Sequence, residues 1–367
     1  MDNLQEKILI VGPSWVGDMV MAQSLFKVLR KLYHDCIIDV LAPSWSLPIL
    51  ERMPEVRRGL VMPVGHGALQ LKVRYQVGKA LRNEKYTWSI VLPNSLKSVL
   101  VPCFAKIPKR TGWRGEMRYG WLNDLRPLNE EKYPLMVERF TALAYPVVAE
   151  DEKVAGLAKP DCPHPRLIVK ADNIELLESS YALDLARPIL SLCPGAEFGP
   201  AKRWPAAHYA AVAAEKIRQG WQVWIFGSAK DKEIAEAIYG LLESSMQTHC
   251  KLLAGETQLA EAVDLMSLSA AVVSNDSGLM HIAAALSLPL VVVYGSTSPS
   301  FTPPLSNRVK IVAEPIDCAP CFQRECPLGH LKCLEDLAPQ KVIAAIDQLV
   351  GRDLPGLLSL PQPITLQ

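Results

Sequence analysis

The sequence predicts an α/β protein of two doubly wound units, each a parallel sheet covered on both faces by helices. Three observations carry this. Short, fully apolar runs alternate with helical stretches, the pattern of strands buried on both sides. The runs end in turns rich in Gly, Ser or Asp. The whole pattern then restarts after a proline-rich stretch. At 367 residues, 49% of them hydrophobic, the chain can build about two domains with cores of their own.

In the first half, strands are expected at Lys7–Val11, Ile37–Leu41, Leu60–Met62 and Trp88–Leu92, with a short one starting at Arg110–Gly112. Helices are expected at Asp18–Tyr33, Ser46–Met53 and Val73–Glu84, and Val101 to Ile107 reads as a helix end. A linker is expected at Glu150–Arg166, where Pro160, Pro163 and Pro165 fall among charges. The domains then run 1–164 and 165–345, followed by a tail at 346–367. In the second half, strands are expected at Ile189–Cys193, Gln222–Phe226, Lys251–Leu253, Ala271–Ser274 and Leu290–Tyr294. Helices fall between and after them at Pro205–Gln219, Asp231–Leu242, Gln258–Ser269 and Leu279–Leu286. Open α/β sheets bind ligands beyond the carboxyl ends of their strands, so two such units predict a cleft between them.

Composition narrows the function. A formal net charge of +1 argues against a general nucleic-acid binder. No run approaches the roughly 18 apolar residues of a membrane helix. The opening MDNLQEK is polar and enters a strand at once, unlike a signal peptide. Nine cysteines, an odd and unevenly spread number, fit reduced thiols in a cytoplasmic protein.

Several turns carry chemistry. In ILIVGPSWVGDMVMAQSL, Gly12 and Gly17 fit a dinucleotide fingerprint, but Ser14 occupies its middle glycine; Asp39 lies about 20 residues on, as that fingerprint also asks. Asp18 at the helix mouth reads equally as a first-turn carboxylate complementing the helix dipole or as a general base. In CPGAEFGPAKRWP, Gly195 permits close backbone approach and Lys202 can neutralise a phosphate, against an ordinary junction with solvated cations. In VVSNDSGLMHIAAAL, Asp276, Ser277 and Gly278 open an apolar helix whose free amides suit an anion, with His281 one turn along. The turn after VWIF, with Ser228, could hold a ribose or base. In AGETQLAEA, Thr257 is a plausible cap and Glu256 a plausible sugar contact.

Two clusters remain. Lys97, Lys106, Lys109, Arg110, Arg114 and Arg118, with Trp113, form a local basic surface suited to an anionic acceptor or a membrane, or merely solvated. Cys318, Cys321, Cys326 and Cys333, with His330, read C-x2-C-x4-C-x3-H-x2-C; either a structural zinc or a loop of thiols fits.

Together GPSWVGDMVMAQSL, VLPNSLKSVLVP, RTGWRGEMRYG, CPGAEFGPAKRWP, FGSAKD, AGETQLAEA and NDSGLMHIAAAL resemble the ADP-heptose–lipopolysaccharide heptosyltransferases, in order along most of the chain. The resemblance implies a GT-B fold of two Rossmann-like domains, acceptor on the first and nucleotide sugar on the second. It implies an inverting glycosyltransferase that moves L-glycero-D-manno-heptose from ADP-heptose onto the first heptose of the inner core, on heptosyl-Kdo2-lipid A. Under it Asp18 is the general base and Lys202 the phosphate-binding lysine. Gly195, Trp204, Ser228, Asp276, Ser277, Gly278, Leu279 and His281 are expected about the donor. Gly17, Asn94, Lys97, Arg110, Arg114 and Arg118 are expected about the acceptor. No metal or other cofactor is expected to be required, no Asp-x-Asp motif being present. The protein is expected in the cytoplasm, touching the inner membrane peripherally. A nicotinamide-dependent oxidoreductase would leave the Asp276–Gly278 anion site unexplained, and a secreted sugar-binding protein would call for a signal peptide.

Overall fold

The computed structural model describes residues 5–65, 67–146 and 159–351. The chain folds as two units. One holds the chain up to Leu167 together with Ser300–Thr302; the other holds Ile168–Pro299 and the chain from Pro303 on.

The first unit carries β1 (Lys7–Val11), β2 (Ile37–Ala42), β3 (Arg58–Val61), β4 (Trp88–Val91), β5 (Lys109–Trp113) and β6 (Asp124–Arg126). They form one parallel sheet in the order β3-β2-β1-β4-β5-β6. The second repeats the scheme with β7 (Ile189–Cys193), β8 (Gln222–Ile225), β9 (Cys250–Leu252), β10 (Ala271–Asn275), β11 (Leu290–Tyr294) and β12 (Val309–Ala313). Their order is β12-β11-β10-β7-β8-β9, again parallel. The central strands are apolar because both faces lie under helices: Ile8, Leu9 and Ile10 on β1 and Leu190 and Leu192 on β7 are wholly buried. In each sheet the strand order reverses at one place, between β1 and β4 and between β7 and β10. There the loops leave in opposite directions and open a crevice at the strand tips.

The segment expected as a linker is packed against the first unit where it is described, and the second unit begins at Ile168, just past its end. Residues 159–167 lie strapped along the Val16–Leu32 helix: Ser24 Oγ donates to the Pro163 carbonyl at 2.7 Å and Lys27 Nζ to that of His164 at 2.7 Å. Gln23 both donates to the Arg166 carbonyl at 2.8 Å and accepts from its amide at 2.8 Å. Prolines keep the segment out of helix and sheet, so its backbone groups are left for helix side chains to satisfy. The rest of the linker expected at 150–166, its residues 150–158, lies outside the described residues. The tail expected from 346 starts too early: the Pro339–Val350 helix runs through it, burying Val342 and Ile346 in the second unit's core. Residues 352–367 lie outside the described residues.

Candidate active site

At the first sheet's reversal point, β1 turns into the Val16–Leu32 helix through residues 12–15. Gly12 packs tightly, since a Cβ there would meet the mobile end of Met19 at 2.6 Å and Val40 Cγ1 at 3.1 Å. Its amide donates to the Leu41 carbonyl at 2.9 Å, and Trp45 Nε1 pins the turn by donating to the Ser14 carbonyl at 2.9 Å. Asp18 therefore stands, partly exposed, in the first turn of a helix whose start is held from both sides, beside the buried Gly17 and Met19. The neighbouring strand β4 ends in Pro93 and Asn94, and Lys97 follows on the Leu96–Phe104 helix. The fold thus brings Asp18, Asn94 and Lys97 to one crevice edge.

The basic cluster separates into anchors and free surface. Arg114 is exposed. Arg110 spends its guanidinium on the Trp121 carbonyl at 2.7 Å and that of Ile107 at 2.6 Å. Arg118 corrects the acceptor expectation outright: it is wholly buried, donating to the Pro93 carbonyl at 2.7 Å, to Asn94 Oδ1 at 3.2 Å and to the Trp113 carbonyl. Burial pushes its pKa down to about 10, so it stays charged at pH 7. It cannot touch a substrate, but it holds the Asn94 loop in shape. Arg118→Ala should therefore cost about 3 kcal/mol of stability by orphaning three acceptors. Denaturant titration would show that loss.

Asp39, the acid a dinucleotide site would need, is also used up. It is fully buried beneath Arg57 (2.8 and 2.5 Å), Arg58 (3.3 Å) and the Tyr86 hydroxyl (2.5 Å). Burial alone would raise its pKa, but the Arg57 and Tyr86 hydrogen bonds outweigh it and hold the carboxyl below its ordinary range. No ribose can reach it.

At the second reversal point, Lys202 follows β7 and Asp276 follows β10. Lys202 Nζ donates to Asp276 Oδ2 at 2.5 Å, and both side chains are nearly buried, at 13% and 5% exposure. Thr297, beyond β11, donates its hydroxyl to the same oxygen at 2.7 Å. Nothing in its sequence neighbourhood singled Thr297 out; only the parallel neighbour relation of β10 and β11 brings it there. Asn275 fixes the two loops to each other, donating to the Pro194 carbonyl at 2.6 Å and accepting from the Tyr209 hydroxyl at 2.9 Å. Ser277 caps the Gly278–Ala285 helix by position only; its hydroxyl meets Ser274 Oγ at 3.2 Å, so it does not compete for the first-turn amides at Gly278 and Leu279. The arrangement offers a cation and unshared helix amides at one strand edge, which suits a phosphate chain.

His281 is 5% exposed on this helix. Burial, opposed by Asp276 and reinforced by Lys202, drops its pKa to about 4. It is neutral at pH 7 and can donate or accept a hydrogen bond but carries no charge. The unfolded chain takes up a proton near pH 6.5, whereas the folded site resists one until about pH 4. Stability contributed here is full above the unfolded value and drains away as pH falls between the two. Comparing urea unfolding at pH 7 and pH 5 should show that slope in the parent and its loss in His281→Asn.

One donor expectation needs revision. Trp204 is wholly buried, its indole donating to the Leu337 carbonyl at 3.0 Å and packing edge-on to Tyr209, so its ring is core. Gly195 lies against the Asp231 carboxylate, which a Cβ there would meet. Ser228 is exposed and gives its hydroxyl proton to Asp231 Oδ2 at 2.7 Å in a capping box, which leaves its oxygen able to accept. Glu256 lies on the surface, paired with Lys232 at 3.1 Å.

The cysteines of the segment 318–333 gather round one small cavity, with His330 and Leu331 also lining it. Backbone amides at Leu331, Leu328, His330 and Gly329 point at the Cys326 sulfur and hold that thiol below its ordinary pKa.

The glycosyltransferase family 9 (heptosyltransferase) model matches residues 74–332. The chain belongs to that family. It is a glycosyltransferase with the two-sheet GT-B architecture. It is 49% identical over 351 residues to lipopolysaccharide heptosyltransferase 2 of Salmonella typhimurium, covering 95% of this chain and 99% of that one. The Escherichia coli enzyme of the same name matches at 49% over 94% of this chain and 98% of its own. The solved structure of E. coli ADP-heptose lps heptosyltransferase II superposes with a TM-score of 0.83 at 47% identity, covering 94% and 99%. By kinship this family member is a heptosyltransferase of the second type.

Proposed function

We propose that this enzyme moves L-glycero-D-manno-heptose from ADP-heptose onto the first heptose of heptosyl-Kdo2-lipid A. The observation that carries the proposal is Lys202, held nearly buried against Asp276 at the tips of β7 and β10 beside unshared helix amides. That is the equipment a departing nucleoside diphosphate needs. Its relatives' name and their identity over nearly the full chain support the sugar and the acceptor class.

In the proposed reaction, Asp18 takes the proton from an acceptor heptose hydroxyl as its oxygen attacks the anomeric carbon. The bond from that carbon to the ADP oxygen breaks in the same displacement, and configuration inverts. Lys202, with the amides at Gly278 and Leu279, neutralises the charge growing on ADP, so no metal is called for. Asn94, Lys97 and Arg114 orient the acceptor. A neutral His281 can hydrogen-bond the donor without adding charge.

No helix among the described residues is long and apolar enough to cross a membrane. A lipid-linked acceptor nonetheless places the work at the cytoplasmic face of the inner membrane. Exposed Met117, Tyr119 and Trp121 beside Arg114 make a surface suited to that contact.

The test is transfer by the purified chain to heptosyl-Kdo2-lipid A against Kdo2-lipid A. Product with the first alone is expected. Product with the second alone would reassign the enzyme to the preceding step.

A further inference from the structure

The cysteine-rich segment is untouched by the chemistry above, yet it is built like a site. Cys318, Cys321, Cys326 and Cys333 line a single cavity of about 20 Å³, three of them half-buried and Cys333 buried. None is in a disulfide. The room is on the scale of one water or one ion. His330, the fifth candidate, is already committed: its Nδ1 accepts the Lys332 amide at 3.0 Å, which puts its proton on Nε2 and leaves no lone pair there. That reduces five possible donors to four sulfurs, the number a tetrahedral ion takes.

From this geometry we infer that the four cysteines bind one divalent transition-metal ion of the zinc or iron class as a tetrathiolate. Each thiol gives its proton to solvent as it ligates. Among the described residues no group of three or more His, Cys, Asp or Glu side chains is arranged to hold a metal ion as the chain stands. Binding therefore requires the sulfurs to turn inward on the shared cavity.

The ion would serve position, not chemistry. The Arg324 carbonyl, within the segment, accepts the Ala201 amide at 3.1 Å and lies so close against Gly199 that a Cβ there would collide with it. The Phe322 amide donates to the Ser296 carbonyl at 2.7 Å. Ala201 adjoins Lys202, and Ser296 adjoins Thr297. A metal stapling residues 318–333 would thus fix both partners of Asp276.

The test uses the full chain, made with zinc and iron supplied and purified without oxygen or chelator. Elemental analysis should find close to one ion per chain and tell zinc from iron. Added Co2+ should produce thiolate-to-metal charge-transfer absorption. Cys326→Ser with Cys333→Ser should abolish both, while Cys103→Ser with Cys162→Ser retains them. Should the first pair fail to fold, blocking the thiols of the parent chain with a mercurial should release the ion to a chromogenic chelator. Loss of metal should raise the donor KM more than it lowers kcat. A chain without metal that gives no cobalt–thiolate absorption overturns the inference, as does metal that survives loss of Cys326 and Cys333 or mercurial treatment.

Discussion

Asp18→Asn should lower kcat by about 10²- to 10⁴-fold, the range a positioned general base supplies. ADP-heptose affinity should be unchanged, because the groups proposed to hold it belong to β7, β10 and the Gly278–Ala285 helix. The substitution is nearly isosteric and keeps a polar group in the helix's first turn. Its stability should fall by at least the worth of one charge near a helix N-terminus, about 0.3–1 kcal/mol. Steady-state kinetics, donor titration and a denaturation curve separate the two roles the sequence leaves open. Unaltered turnover with a small loss of stability would return Asp18 to the role of dipole partner.

Lys202→Met should harm both folding and binding, by different routes. Asp276 would keep only the Thr297 hydroxyl as a described partner while remaining 5% exposed. An uncompensated buried carboxylate of this kind costs about 3–5 kcal/mol, toward the lower end where some solvent reaches it. Loss of a charge-assisted contact to the pyrophosphate should weaken donor binding by about 10- to 100-fold. Adding Asp276→Asn removes the stranded charge, so the double variant should regain stability without regaining affinity. Calorimetry of ADP binding beside thermal melting reads the two effects separately. Equal recovery of both would mean that Lys202 serves the fold alone.

The strand–helix alternation was legible because central parallel strands must be apolar on both faces, which leaves an unbroken mark in sequence. Two of the four edge strands, β6 and β12, escaped for the converse reason. β6 is only Asp124–Arg126, and β12 (VKIVA) is half exposed with a lysine in it. The positions of Asp18, Lys202 and Asp276 were legible as residues at strand ends. What those residues touch was not. Thr297 joins Asp276 across 21 residues through strand pairing alone. Arg118 and Trp204 carry the side chains of a binding surface, and only the packing around them shows that both point inward. A basic run in sequence cannot say which arginine is spent on carbonyls, since those carbonyls come from loops as far as 25 residues away.

Residues 300–302 return to the first unit, where the Phe301 carbonyl accepts the Met136 amide at 2.9 Å and the Arg139 guanidinium lies 5.1 Å from the Phe301 ring. The halves are consequently not exchangeable by one recombination event. A chimera joined only near residue 167 would inherit its Met136–Arg139 surface from one parent and the Phe301 that fits it from another. Exchanging the two units among relatives thus demands two further junctions, flanking a three-residue graft. Lineages that diversified by point substitution would have met no such barrier.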